Sequence, residues 1–296
     1  MTFVAMVAQG VVGVGVEIFG GVAAHLMGLP AAHLVQHPLV LAGVNTIVLG
    51  GVIAWGVMIN GRRWSEVFSF RPVPTRLAAT ACVTMLGVVI LLSEVDNVFR
   101  WCFPPPEFLL QFFDDLAGKT HGLWAGALLL VIVAPVTEEL FFRGILLRGL
   151  AYQHRWRTAL LVSTTLFALM HANPWQFCSA ATAGLVFGWW YLRTQSLVLC
   201  LLGHALMNGL SLVLPLLGPA GLEISGFIGD PLTAKAQFQP WWLNLTGLVL
   251  AAAGLALFHR LSPPALEPPP IISTRYTAVP PGVGDAICGE GSHYDI

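Results

Sequence analysis

Long apolar segments alternate with short polar connections along most of this 296-residue chain. Eight of the apolar segments are long enough, or nearly so, to cross a hydrocarbon core of about 30 Å as helices. The pattern therefore predicts an all-α fold, a polytopic membrane helical bundle with about eight transmembrane helices. The predicted spans are 3–29, 38–59, 77–93, 122–147, 157–172, 175–192, 197–217 and 241–259.

The fifth and sixth predicted spans are short, and only Asn173 and Pro174 separate them. This spacing predicts two spans that together form a broken or re-entrant hairpin. Irregular backbone at membrane depth is tolerated only where it is buried in protein or lines a wet cavity. A break beside His171 therefore fits a functional site.

The pattern also divides the chain into a domain and a tail. Residues 1–261 are predicted to form one transmembrane helical domain, with the polar motifs described below concentrated in 122–217. Residues 262–296 are rich in Pro and Gly and lack apolar periodicity, which predicts a disordered cytoplasmic tail. Phenylalanines and acids in 95–121 predict an amphipathic stretch on the outer surface.

The distribution of basic residues predicts the orientation. Cytoplasmic loops carry an excess of Lys and Arg, so both termini are predicted to be cytoplasmic, with an even number of spans. In that orientation only Arg100, Lys119 and Lys235 lie outside. The residues then placed on the cytoplasmic side are Arg62, Arg63, Arg71, Arg76, Arg148, Arg155, Arg157, Arg193, Arg260 and Arg275.

Composition supports the membrane class and excludes others. The chain is 56% hydrophobic and only 10% charged, whereas globular domains carry about 25% charged residues. The formal net charge is −1 and no basic run is present, which excludes a nucleic-acid partner. The five cysteines are scattered without a CxxC pair, which is typical of buried apolar residues rather than of a disulfide framework.

Three stretches, at 138–143, 167–171 and 204–208, place ionisable or amide side chains inside apolar segments. A charge at bilayer depth costs about 2.5–3.5 kcal/mol on insertion scales, so such residues normally mark a functional site. The stretches lie in neighbouring segments and supply acids, two histidines and an amide. These are the side chains of a hydrolytic centre, in a place where water is scarce.

The first stretch contains two acids with different expected roles. Glu139 and Arg143 are four residues apart on one helix face, which predicts an ion pair that neutralises both charges. Glu138 lies about 100° around the helix and has Phe142, not a cation, at its i+4 position. A desolvated carboxylate without a designated partner suits a general base or a metal ligand.

His171, His204 and Asn208 complete the set. Each alone could be structural, since a lone histidine often bonds to a neighbouring helix and Asn208 could simply bridge two helices. Together with Glu138 they supply a base, two imidazoles and an amide donor. Their predicted depths agree only loosely: Glu138 lies about 13 Å, His204 about 10 Å and His171 about 20 Å from the cytoplasmic ends of their spans.

The order EExxxR, FxxxH and HxxxN on successive predicted helices resembles the CPBP intramembrane protease family, which includes CAAX prenyl protease 2 and Abi-type proteins. The resemblance covers about residues 122–217, one third of the chain. The motif residues are Glu138, Glu139, Arg143, Phe167, His171, His204 and Asn208.

The resemblance implies hydrolysis of a peptide bond within the membrane, in a membrane-associated or lipidated protein or peptide. It makes Glu138 the catalytic glutamate, His171 its partner in activating water, and His204 and Asn208 the residues that stabilise the oxyanion. The implied supporting residues are Glu139, Arg143 and Phe167.

Two mechanisms remain open at this stage. In the favoured one no metal takes part, and Glu138 deprotonates a water molecule. In the alternative, a zinc metalloendopeptidase, Glu138, His171 and His204 hold a catalytic zinc with an open fourth position. The HExxH signature of many zinc proteases is absent. If Glu138 were a ligand, Glu139 would have to act as base, and its expected pairing with Arg143 argues against that.

Two other functions compete with proteolysis. One is a non-catalytic Abi-like immunity or scaffold protein of the same fold, and the other is a proton-coupled transporter using Glu138 and the histidines. Transporters often show repeated halves, and no internal repeat is visible in this sequence. The resemblance to Abi-type proteins favours a bacterial plasma membrane, the inner membrane, as the location.

Overall fold

The computed structural model describes residues 37–59, 61–116, 122–228 and 236–264. Within these ranges the chain is helical and forms no strand beyond one isolated bridge between Ile224 and Ile228. The predicted span 3–29, with Glu17, and residues 265–296 of the predicted tail lie outside the described residues. The division into residues 1–261 and a tail therefore stays a prediction.

Nine helices form the described part of the chain. Helices α1, α3, α5, α8 and α9 are long and apolar enough to cross a membrane, by length and composition. The predicted helical membrane bundle is thereby confirmed, and the count of eight spans stays a prediction. The helices are α1 (Pro38–Ile59), α2 (Trp64–Val67), α3 (Thr75–Cys102), α4 (Glu107–Leu116), α5 (Leu123–Gln153), α6 (Trp156–Met170), α7 (Pro174–Thr194), α8 (Leu197–Leu217) and α9 (Trp241–Leu261).

Helix α5 lies at the centre of the bundle, in contact with α1, α6, α7 and α8. It is not a regular α-helix, because Leu128–Val133 and Leu140–Leu147 are π-helical. The α-helical turn between them, Ala134–Glu139, carries both acids of the first motif. π-helical turns inside α-helices occur frequently at functional sites, because the wider turn changes where side chains point.

Helices α6 and α7 form an antiparallel hairpin, and the predicted break between them is confirmed. Helix α6 ends at Met170, Ala172 has a φ of +49°, and α7 begins at Pro174. The side chain of Asn173 caps α7 by accepting a hydrogen bond from the backbone N–H of Trp175. The break therefore leaves His171 at the end of α6, beside the turn.

Helices α3 and α9 pack against each other along much of their length through small residues. A Cβ atom on Gly87 would overlap the backbone of Ala251, and one on Gly254 would overlap Thr84. Close approach through small residues is the usual way membrane helices associate, since lipid provides no hydrophobic driving force between them. Many large apolar side chains elsewhere remain exposed on the bundle surface, as a lipid-facing surface requires.

Hydrogen bonds define the two ends of the bundle. At the first end, Arg148 donates to the carbonyls of Glu66 and Val67, and the Ser196 hydroxyl donates to the carbonyl of Arg71. This is the arginine end, where the chain also places Arg62, Arg155 and Arg193, and it corresponds to the predicted cytoplasmic side. At the opposite end, Trp175 Nε1 donates to the carbonyl of Phe103.

Candidate active site

Glu139 is the most buried acid of the three motifs and holds two partners at once. Its Oε1 accepts a hydrogen bond from Arg143 Nη1 at 2.8 Å, so the predicted ion pair is confirmed. The same oxygen lies 2.8 Å from Nδ1 of His204. Because a carboxylate of an ion pair only accepts, His204 carries its proton on Nδ1. The acid therefore links helices α5 and α8 and orients the histidine.

Arg143 is 1% exposed and lies between two aromatic rings. Its guanidinium carbon is 4.5 Å from the ring centre of Phe167 and 5.5 Å from that of Phe187. Nη2 also lies 3.5 Å from the carbonyl oxygens of Ala183 and Gly184 on α7. The charge is thus stabilised by a carboxylate, two π faces and two carbonyls, which allows it to remain buried.

The second nitrogen of His204 faces Glu138. The His204 ring stacks on Phe187 with centroids 5.5 Å apart, and Nε2 lies 3.8 Å from Glu138 Oε2. That separation is too long for a hydrogen bond. The bond from Nδ1 to Glu139 holds the ring with Nε2 directed toward the Glu138 carboxylate.

Both acids have a buried Oε2 without a donor in the described part of the chain. Glu138 differs from its neighbour because no described residue donates a hydrogen bond to either of its oxygens, whereas Glu139 Oε1 has two partners. Glu138 as a whole is 9% exposed. Removing a carboxylate oxygen from water without a donor is costly. A buried acid in that condition is therefore a candidate for chemistry rather than for structure.

His171 is half-buried at the end of α6. Its Nδ1 lies 2.9 Å from the carbonyl oxygen of Phe167, which can only accept, so Nδ1 carries the proton and Nε2 a lone pair. None of the described contacts joins His171 directly to Glu138. The Phe167 ring connects the cluster instead, with centroid distances of 5.0 Å to His171 and 6.1 Å to His204.

Asn208 bridges two helices, as its structural interpretation predicted. Its Nδ2 donates to the carbonyl of Leu130 at 2.8 Å. In this π-helical turn the N–H of Ala134 bonds to Leu129, five residues back, and the next residue, Pro135, has no N–H to offer Leu130. Asn208 supplies the missing donor with one of its two N–H groups, and no described residue engages the second.

When depth is measured from the observed helix ends, Glu138 and His171 lie at about the same depth. Glu138 lies 15 residues from Gln153, the end of α5, and His171 lies 15 residues from Trp156, the start of α6. Both distances correspond to about 22 Å of helix. Leu197, the first residue of α8, lies beneath the connection between α1 and α3, where its N–H donates to the carbonyl of Ser69. Helix α8 therefore begins deeper in the bundle, which places His204 further in than its position in the helix suggests.

One contact beside the acids was not predicted from the sequence. Thr137 bonds with Asn45 of α1 at 3.2 Å and with the carbonyl of Val133 at 2.8 Å. No sequence signal indicated Asn45 or Phe187. The contact of Asn208 with the Leu130 carbonyl could have been anticipated from Pro135. A proline within a span leaves one carbonyl without its backbone donor, and a polar side chain can supply it.

The predicted zinc ligand set is not assembled. Among the described residues no group of three His, Cys, Asp or Glu side chains is placed to hold a metal ion. The bonds made by Nδ1 leave Nε2 of both histidines available, as in metal-bound histidines. Among the described contacts, however, Glu138 lies beside His204 and not beside His171.

Comparison with known proteins agrees with the motifs. Residues 120–210 match the family model described as type II CAAX prenyl endopeptidase Rce1-like. The chain is 33% identical over 183 residues to the uncharacterized protein YyaK of Bacillus subtilis, a match that covers 58% of each chain. It is 28% identical over 85 residues to the putative membrane peptidase YdiL of the same organism, covering 29% of this chain and 35% of the relative.

The chain thus matches 58% of the length of YyaK and 35% of the length of YdiL. No solved structure matches it significantly. The matched segment contains all three motifs, and the resemblance predicted from them is confirmed: residues 120–210 are similar to the Rce1-like type II CAAX prenyl endopeptidases.

Proposed function

We propose that this protein is an intramembrane endopeptidase that hydrolyses a peptide bond of a membrane-associated or lipidated protein, with Glu138 as the general base. The observation that carries the proposal is the buried Glu138 carboxylate, which receives no hydrogen bond from any described residue and whose Oε2 lies 3.8 Å from His204 Nε2. A structural acid would be expected to accept at least one hydrogen bond, as Glu139 does.

In this proposal Glu138 takes a proton from a water molecule, and the water oxygen attacks the carbonyl carbon of the scissile bond. His171, with its proton fixed on Nδ1, accepts a hydrogen bond from the same water through Nε2. In this mechanism His204 acts as an imidazolium throughout, donating from Nδ1 to Glu139. Its Nε2–H and the second N–H of Asn208 donate to the developing oxyanion. The proton held by Glu138 then passes to the leaving amine as the C–N bond breaks.

The remaining motif residues position these groups. Glu139 holds the proton of His204 on Nδ1 and orients its ring, and Arg143 neutralises Glu139. Phe167 contacts Arg143, His171 and His204. Their roles resemble those of the outer residues that orient a catalytic histidine in other hydrolases.

We favour the metal-independent mechanism because the histidines and Glu138 do not converge on one point. Enzyme treated with a chelator, with its metal content measured, is expected to retain activity. A loss of activity that is restored by stoichiometric zinc would contradict this part of the proposal.

Substitution of Glu138 by Gln tests the proposal directly. Gln keeps the size of the side chain but cannot take a proton, so cleavage should fall by about 10³-fold or more. The measurement compares the membrane proteome of cells that lack the protein with that of cells carrying E138Q, and seeks the same unprocessed protein in both.

The matched control is E94Q, the same substitution at another acid of the bundle, which should leave processing intact. Insertion and thermal stability of both variants are measured in the same detergent. Normal processing in E138Q cells would remove the catalytic assignment and favour a binding or scaffold role.

A further inference from the structure

A cavity of about 670 Å³ opens at the arginine end of the bundle. It lies between the connection that joins α1 to α3, helix α5 and the end of α7. Its lining includes Trp64, Ser69, Phe70, Arg71, Arg148 and Tyr191. None of these residues belongs to the proposed catalytic set, so the reaction described above does not explain the cavity.

The lining carries an excess of positive charge. Arg71 and Arg148 both line the cavity, and Arg62 is close enough for its charge to act on Arg148 together with that of Arg71. Glu66 is the acid of the lining, and its carboxylate lies 3.9 Å from Arg62. Like charges held this close repel one another, so an anion in the cavity would relieve the repulsion.

The two arginines are held in place by the fold. Arg148 is buried and donates from Nη1 to the carbonyls of Glu66 and Val67, at 2.9 and 2.5 Å. The carbonyl of Arg71 accepts a hydrogen bond from the Ser196 hydroxyl at 2.7 Å, which fixes its backbone. The side chain of Arg71 is exposed, and it forms no ion pair with any described residue.

Most of the cavity surface is nevertheless apolar, and it lies at the predicted membrane surface. Phe68 and Tyr191 form buried walls, whereas Trp64 and Phe70 are 51% and 54% exposed at the rim. Aromatic side chains beside arginines are typical of the interface between hydrocarbon and headgroups. The volume is also far larger than a free phosphate needs and lies in the range of sites for larger ligands.

We propose that this cavity binds an anionic phospholipid of the adjacent leaflet. Arg71 and Arg148 contact the phosphate, the Ser69 hydroxyl lies among the polar groups of the lining, and Trp64 and Phe70 contact the upper part of an acyl chain. Basic pockets between transmembrane helices on the cytoplasmic side are the usual sites for anionic headgroups.

The test is native mass spectrometry of the full-length protein in detergent, with added phosphatidylglycerol or with phosphatidylcholine of the same acyl chains. Wild-type protein is expected to bind phosphatidylglycerol about tenfold more tightly, since two arginines face its phosphate. R71Q should weaken phosphatidylglycerol binding about fivefold and leave phosphatidylcholine binding unchanged.

The matched control is R76Q, an exposed arginine at the start of α3 that does not line the cavity. It should bind phosphatidylglycerol as the wild type does, which separates the cavity from the general charge of this surface. E138Q should also retain lipid binding, so failure of the lipid proposal is distinguishable from failure of the proteolytic one.

Three results would overturn the proposal. Equal binding of the two lipids to wild-type protein would show that the cavity does not recognise charge. Displacement of phosphatidylglycerol by millimolar glycerol phosphate would make it a site for soluble phosphate. Displacement by a peptide with a free C-terminal carboxylate, but not by its amide, would assign it to the tail of a protein substrate.

Discussion

Glu138 and Glu94 are both acids inside long apolar helices, yet the structure treats them differently. Glu94 Oε2 accepts hydrogen bonds from the Asn97 side chain at 3.1 Å and from the backbone N–H of Gln239 at 2.9 Å. Glu138 Oε2 is buried without any such donor. The first acid holds the loop before α9 against helix α3, and the second lies 3.8 Å from Nε2 of His204.

The difference shows that the polarity of a residue in an apolar helix does not by itself indicate function. The cost of burying a carboxylate is offset for Glu94 by hydrogen bonds that also stabilise the fold. No described residue offsets this cost for Glu138. We therefore attribute the buried carboxylate to a role in function. Hydrogen bonds to the carboxylate are present at Glu94 and Glu139 and absent, among the described residues, at Glu138. Their presence therefore separates the structural acids from the candidate base.

The largest effect on stability is expected at Arg143, which neutralises the candidate site. R143Q leaves Glu139 buried without its cation, and the free energy of unfolding should fall by about 3–5 kcal/mol. The comparison is R100Q, which breaks an i,i+4 pair with Asp96 whose arginine is 28% exposed. That change should cost under about 1 kcal/mol. Thermal unfolding in one detergent measures both.

The double variant E139Q/R143Q sharpens this prediction. It removes both charges, so it should recover part of the stability that R143Q loses. An R143Q protein as stable as R100Q would mean that Arg143 does not neutralise a buried charge.

His204 should affect activity more than stability. H204Q removes the imidazole that borders Glu138, and the rate of cleavage should fall about hundredfold. H259Q is the control, because His259 lies at the end of α9 and stacks on Trp189, far along the chain from the motifs. Single-turnover cleavage of the substrate found with E138Q provides the measurement. Similar rates for both histidine variants would exclude His204 from the chemistry.

Asn208 has a structural and a proposed catalytic role that one rescue experiment can separate. N208A leaves the Leu130 carbonyl without a donor and should destabilise the protein by about 1–2 kcal/mol. Adding P135A restores a backbone N–H opposite that carbonyl, so stability should recover while activity stays low. Recovery of both stability and activity would show that the role of Asn208 is limited to supplying a donor to the Leu130 carbonyl.

The smallest effect is expected at the structural acid. The Gln side chain in E94Q keeps an oxygen that can accept from Asn97 and Gln239, so the free energy of unfolding should fall by about 1 kcal/mol or less. Urea titration in mixed micelles measures the change. A large loss of activity in a stable E94Q protein would erase the distinction between the two acids.

The sequence predicted the helices well but placed two of their ends too early. The predicted spans 77–93 and 122–147 are parts of helices α3 (Thr75–Cys102) and α5 (Leu123–Gln153). Each prediction stopped just before a charged residue, Glu94 in one case and Arg148 in the other. The helices continue because distant backbone groups satisfy those charges: the N–H of Gln239 for the acid and the Glu66 and Val67 carbonyls for the arginine.

The sequence by itself determined what depends on local spacing. The length of the apolar segments predicted the helices, and the interval of four residues predicted the pairing of Glu139 with Arg143. The order of the motifs predicted the family resemblance. These features depend on the period of a helix and on the cost of burying charge, which are the same in any fold.

Only the tertiary structure decided which polar groups are satisfied across helices. It joined His204 to Glu139, used Asn208 to supply the donor that Pro135 lacks, and left Glu138 Oε2 without a partner. These contacts depend on the depth at which α8 begins and on the π-helical turns of α5, both of which are set by packing between segments far apart in the chain.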